Sequence, residues 1–171
     1  MNIIRGRVTK VGQFRWPRWV IFTWPSTNSA FSGEGARLYG GRWNPKGWPV
    51  VYTAESQSLA LLELMVQDAA LRAHYVLIPA YIPDALAQTV IEVQNLPNDW
   101  RTLGARDALQ ALGLAWLRGG NTAILNVPSA VVPAERNFLL NPNHPDFAKI
   151  TIGEPQDFQV DIRLLRNLDA S

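Results

Sequence analysis

Only two windows of this chain space their apolar residues for a helix; elsewhere apolar residues come in short runs cut by proline and glycine. In the first window, residues 56–70, Leu59, Leu62, Met65, Val66 and Ala69 form a wide apolar stripe at about 100° per residue. Ser56 stands where an N-cap is needed, its hydroxyl able to accept an orphan backbone N–H. Glu63 falls on a narrow polar edge with Ser56 and Gln67, so the pattern predicts a largely buried helix with its acid at the seam of the core. The second window, residues 99–117, places Ala105, Leu109, Leu112 and Trp116 inward and stops at Gly119-Gly120. The short runs predict strands at 3–8, 20–22, 49–53, 74–82, 89–93, 123–127, 130–132, 137–140 and 158–165. Residues 28–47 should be mostly loop, and Asn141-Pro-Asn-His-Pro145 a turn-rich break. Many short strands with two helices predict an α+β fold. No linker divides residues 1–171, so one domain is expected.

Composition removes several kinds of chemistry. There is no cysteine, which excludes disulfides, thiol catalysis and thiolate metal sites and fits a reducing compartment. His74 and His144 are too few and too far apart in sequence to suggest a metal site. A net charge of +2 with scattered basic residues does not indicate a nucleic-acid groove. No apolar run is long enough for a bilayer, and the first residues lack the apolar core of a signal peptide, so a cytoplasmic location is expected. Seven tryptophans are a rich supply for a core or an interface, with Trp16, Trp19 and Trp24 gathered in residues 14–25.

The chemistry-bearing segment is Ser32-Gly-Glu-Gly-Ala-Arg-Leu-Tyr-Gly-Gly-Arg-Trp-Asn-Pro-Lys-Gly47, followed by the strand carrying Tyr52 and the helix carrying Glu63. It is neither a dinucleotide-fold fingerprint nor a P-loop, because the third glycine of the former and the Gly-Lys-Ser/Thr of the latter are absent. An arginine can hold phosphate by a planar fork, a tyrosine can stack on a ring and hydrogen-bond at its edge, and a carboxylate can stabilise a developing cation. Arg42, Tyr52 and Glu63 together suit a substrate that is anionic at one end and cationic where it reacts, as NAD is. On residue type alone, Arg42 also fits an ordinary loop arginine, Tyr52 a sheet aromatic, Ser129 a turn hydroxyl, and Asn137 a turn cap as well as a ligand contact. Glu63 has the stronger case, since a lone acid on a buried helix is costly unless paired or functional.

At these residues the chain resembles the RES-domain family, named for its arginine, glutamate and serine. The resemblance runs through the glycine-rich segment from Ala30 to Gly47, then Val51-Tyr-Thr-Ala-Glu-Ser56 and Leu59-Ala-Leu-Leu-Glu63. It returns at Pro128-Ser-Ala-Val-Val-Pro-Ala-Glu-Arg-Asn137 and Asn141-Pro-Asn-His-Pro-Asp-Phe147. It implies a fold like that of ADP-ribosyltransferases and diphtheria-type toxins, a compact β core with flanking helices. It implies the toxin half of a bacterial toxin–antitoxin pair that destroys NAD by hydrolysis, or by phosphorolysis with inorganic phosphate as co-substrate; NAD is the substrate and no cofactor is expected. Transfer of ADP-ribose to a macromolecule is the alternative, and a catalytically silent module paired with a regulator is a further one. The implied partner is an Xre-type helix-turn-helix antitoxin that blocks the active site, with no direct nucleic-acid or membrane contact by this chain; a homo-oligomer inside that complex stays open. Carried over, Arg42, Tyr52 and Glu63 match the family's loop arginine, strand tyrosine and helix glutamate, and Ser129 its later serine; Ser129 and Asn137 are the expected substrate contacts. The opening departs from the pattern: the tryptophan-rich segment 14–25 intervenes, leaving Arg5, Arg7 and Arg15 as alternatives for an arginine that family members carry near the start.

Overall fold

Two strands set the architecture by alternation. In β5 (Ile124–Pro128) and β6 (Arg136–Leu140), successive side chains point to opposite faces of the sheet. Ile124, Phe138 and Leu140 join one buried cluster with Val51, Ala80 and Ile82. Leu125, Val127 and Leu139 join another with Trp43, Trp100, Leu109, Trp116 and Leu117. The sheet is therefore packed on both faces, which is why apolar residues stand at successive positions in these strands. In the computed structural model the described residues are 18–22, 30–66 and 74–165.

The remaining strands are β1 (Arg18–Phe22), β2 (Val51–Ala54), β3 (His74–Tyr81), β4 (Gln88–Val90), β7 (Thr151–Ile152) and β8 (Gln156–Gln159). The sheet order is β4-β5-β6-β2-β1-β3-β7, with β8 also paired to β3. Only β4 and β5 run parallel among these described pairs. β1, the middle of the tryptophan-rich segment, is a short strand as expected and lies between β2 and β3. The helices are α1 (Glu34–Tyr39), α2 (Gln57–Met65), α3 (Arg106–Gly119) and α4 (Ile162–Leu165). The α+β class is as the pattern predicts. The strand expected at 3–8, together with Arg5, Arg7, Arg15, Trp16 and Trp24, lies outside the described residues, as does the end of the helix expected to reach residue 70.

The segment 28–47 is mostly loop over its described residues, as expected, with one short helix, α1, between Gly33 and Gly40, both at positive φ, where Arg37 grips Glu34 one turn back at 2.6 and 2.7 Å. Several local expectations are corrected. Helix α2 starts at the Ser56 cap, whose Oγ accepts from Leu59 N at 3.0 Å. It is less buried than its stripe implies: Leu59 and Ala60 pack on Ala54, while Leu62 and Val66 are exposed. Turns occupy residues 97–104, so α3 begins at Arg106 rather than 99, and Leu112 faces outward where Gly113 and Leu117 face in. Gly120 ends it in the left-handed region at φ 57. Residues 130–132 are a turn, because the Ser129 hydroxyl accepts from Val131 N and Val132 N and draws the backbone out of the sheet. The last expected strand stops at Gln159, and Asp161 opens α4 by accepting from Arg163 N at 2.9 Å.

Candidate active site

A cleft of about 910 Å³ opens beside β2, walled by α1 and the loop after it, by α2, by residues 102–106 and by the turn at 130–131. Arg42, Tyr52, Glu63 and Asn137 all line it, so four of the five residues singled out in sequence meet in one cavity.

Glu63 is half-buried on α2, and its Oε1 accepts from Ser129 Oγ at 2.7 Å and from Asn137 Nδ2 at 2.6 Å. These partners come from the end of β5 and the start of β6, so two neighbouring strands aim one carboxylate. Its second oxygen, Oε2, has no hydrogen bond or ion pair among the described residues. The Ser129 hydroxyl is fully buried: it gives its proton to Glu63 and accepts two backbone N–H groups. Ser129 is not among the residues that line the cleft, and its hydroxyl is engaged by Glu63, Val131 and Val132. Asn137 does line the cleft, and its Oδ1 is buried without a partner among the described residues.

Tyr52 presents its ring to the cleft while its hydroxyl points inward. The hydroxyl donates to Asn44 Oδ1 at 2.8 Å and accepts from Trp43 N at 3.0 Å, so the edge hydrogen bond expected toward a ligand is made to the protein instead. Asn44, fully buried, also donates to the carbonyls of Ala36, Pro45 and Trp48, which folds the loop back on itself. Helix α3 braces the same loop: Gln110 donates to Gly41 O at 2.7 Å, and Gly113 packs against the Trp43 carbonyl. Trp43 and Asn44 thus shape the loop. His144 is likewise structural, accepting from Asp146 N at 3.0 Å to cap the turn that follows it.

Burial pushes the Tyr52 phenol well above the ordinary tyrosine range, against the opposing effects of the Trp43 N–H and of the Arg106 and Arg42 charges. Below about pH 10 both folded and unfolded chains keep this proton. Above it the unfolded chain releases the proton and the folded chain does not, so stability falls as pH rises. In a spectrophotometric titration, at least one of the four tyrosines should stay un-ionised until the protein unfolds, and Tyr52→Phe should remove that late component. Ordinary ionisation of all four in the folded protein would contradict this burial.

Arg42 is half-buried and held from behind, its Nη1 donating to Trp100 O at 3.1 Å and Arg101 O at 3.3 Å. Its Nε–Nη2 edge has no hydrogen bond among the described residues, and such an edge can serve as a fork for an oxyanion. Arg106, in the first turn of α3, lines the same cleft and was not singled out in sequence, where no motif marks it. No cluster of His, Asp and Glu among the described residues could hold a metal ion. No helix among them is long and apolar enough to cross a membrane.

The profile described as the RES domain matches residues 15–161. A protein of Photorhabdus laumondii named Toxin Res is 40% identical over 141 residues, covering 81% of this chain and 90% of that one. A Sphingobium protein named Prs ADP-ribosylating toxin is 36% identical over 154 residues, covering 86% and 96%. The Mycobacterium tuberculosis protein named NAD(+) phosphorylase MbcT is 32% identical over 93 residues, covering 53% of this chain and 50% of that one. In three dimensions the chain matches one from the crystal structure of the M. tuberculosis MbcT–MbcA toxin–antitoxin complex, with a TM-score of 0.69, 24% identity, and 94% and 93% of the two chains covered. The two share a fold.

Proposed function

The chain belongs to the RES domain family, and from that premise we propose that it is the toxin of a toxin–antitoxin pair, an enzyme that consumes NAD by breaking the nicotinamide–ribose bond. The observation that carries this reading is the Glu63 carboxylate, one oxygen fixed by Ser129 and Asn137 and the other without a partner among the described residues, in a cleft that also holds arginine and an aromatic ring.

When the C1′–N bond breaks, its electron pair goes to the nicotinamide nitrogen and neutralises that cation, so the leaving group needs no proton. Positive charge develops on the ribose, and Glu63 Oε2 is available to stabilise it. The Oδ1 of Asn137, a buried acceptor beside the carboxylate, suits a hydroxyl of the ribose or of the attacking nucleophile. The Tyr52 ring offers the nicotinamide a face, and its inward hydrogen bonds keep that ring from turning. The Arg42 fork offers the pyrophosphate two donors. Water adding to C1′ gives ADP-ribose and a proton; phosphate adding there gives a phosphorylated ADP-ribose.

The partner on this reading is an Xre-type antitoxin that covers the cleft, and the chain acts on the cytoplasmic NAD pool. The Sphingobium relative favours a second reading, in which a macromolecule accepts the ADP-ribose. The test is NAD consumption by purified protein with and without inorganic phosphate, products resolved by mass. NAD loss that requires phosphate identifies a phosphorylase, and loss without it a glycohydrolase. No loss until cell extract is added, with label then on protein or RNA, moves the reading to transfer. No loss under any of these conditions overturns it.

A further inference from the structure

The arginines in and beside the cleft differ in what already holds them. Arg37 forms a two-point pair with Glu34, Arg42 is braced by the carbonyls of Trp100 and Arg101, and the Nε of Arg101 donates to Ala130 O at 2.9 Å. Arg106 lines the cleft, and its guanidinium has no hydrogen bond or ion pair with a described residue. Arg42 is tied to the carbonyls of Trp100 and Arg101, just before α3, and Gln110, one turn after Arg106, donates to Gly41 O, so the two cations stand on adjoining walls of the cleft. Glu34, which also lines the cleft, is already paired with Arg37. Neither the Arg42 nor the Arg106 guanidinium is ion-paired with a carboxylate among the described residues, so an anion entering between them meets two unneutralised charges. Glu63 lies across the same cavity on α2, which gives the cleft a cationic region and an anionic one.

Resting on the NAD reading and extending it, we propose that Arg106 is a specificity-determining residue that grips a phosphate group together with Arg42. A guanidinium on α3, the helix that braces the glycine-rich loop, adds a second element beside Arg42, so the phosphate is held from two elements. The shared chemistry is a phosphate oxyanion, and it has two sources here: the pyrophosphate of the dinucleotide, or free inorganic phosphate acting as acceptor.

The experiment uses the full chain and Arg106→Ala and Arg106→Lys variants, with Tm recorded for each. Calorimetric titration with inorganic pyrophosphate should show binding weakened about tenfold in Arg106→Ala, the loss expected for one charge-assisted contact at an exposed site, with part of it regained in Arg106→Lys. In steady state, a rise in KM for NAD with kcat retained assigns the contact to the dinucleotide. A rise confined to the KM for inorganic phosphate assigns it to the acceptor. Unchanged pyrophosphate affinity with both KM values unchanged would overturn the proposal, as would a loss of kcat alone accompanied by a fall in Tm. If the wild-type chain consumes no NAD, the NAD reading fails by itself, and the pyrophosphate titration still decides the role of Arg106.

Discussion

Glu63→Gln is expected to lower NAD turnover by about 10²–10³-fold, the range seen when one preorganised electrostatic contact to a transition state is removed. The substitution keeps the shape of the side chain and an oxygen to accept from Ser129 and Asn137, so the site stays packed and only the charge is lost. Thermal melting should shift little, because Glu63 is half-buried and forms no ion pair among the described residues. Ser129→Ala is the informative companion. It leaves the charge on Glu63 but strips one donor from the carboxylate and leaves the N–H groups of Val131 and Val132 without their acceptor. It should cost less activity than Glu63→Gln and more stability, about 1 kcal/mol for unsatisfied groups in a partly buried turn. Turnover followed by product chromatography, with melting curves alongside, separates the two effects. Normal turnover in a folded Glu63→Gln protein would remove Glu63 from the chemistry.

The second large effect comes from a residue that touches no substrate. Gly113→Ala should destabilise the protein and lower activity, although alanine is the better helix former by about 1 kcal/mol. A Cβ at Gly113 would overlap the Trp43 carbonyl oxygen. That carbonyl has little room to retreat, since Trp43 is buried in the core beneath α3 and its N–H is held by the Tyr52 hydroxyl. Overpacking of this kind typically costs 1–3 kcal/mol and here acts against backbone, so a net loss of about 2 kcal/mol is expected after the helix gain. The strain passes into the loop bearing Arg42 and into the Tyr52 hydrogen bonds, so kcat/KM should fall with the Cm of urea unfolding. A more stable Gly113→Ala protein would mean that α3 does not press on the loop as described.

Local rules reached far along this chain. The runs behind β3, β5 and β6 were legible because strands buried on both faces lose their polar alternation. Ser56 marked the start of α2 because capping is a matter of one side chain and the next turn. Arg42, Tyr52 and Glu63 could be named because residue type limits chemistry, and the resemblance to a family tied those types to positions. Where local rules failed, a distant contact decided the outcome. The hydroxyl of Ser129 bends residues 130–132 out of the sheet while it holds Glu63. Leu62 and Val66, apolar by pattern, lie toward the exposed side of a helix that borders an open cleft.

The sequence by itself determined which groups are present: a carboxylate on a short helix, a tyrosine on a strand, arginines near glycines, and no thiol at all. The tertiary structure decided which of them work together. Ser129 and Asn137 lie 66 and 74 residues from Glu63, yet both donate to one of its oxygens. Tyr52 turns its hydroxyl inward because Asn44 and Trp43 meet it there, and Arg106, in the first turn of α3, lines the cleft beside residues 102 and 103. Type and short-range spacing are fixed by neighbours along the chain. Convergence depends on sheet register and on one helix pressing a glycine against a distant carbonyl, and those contacts exist only once the chain has folded.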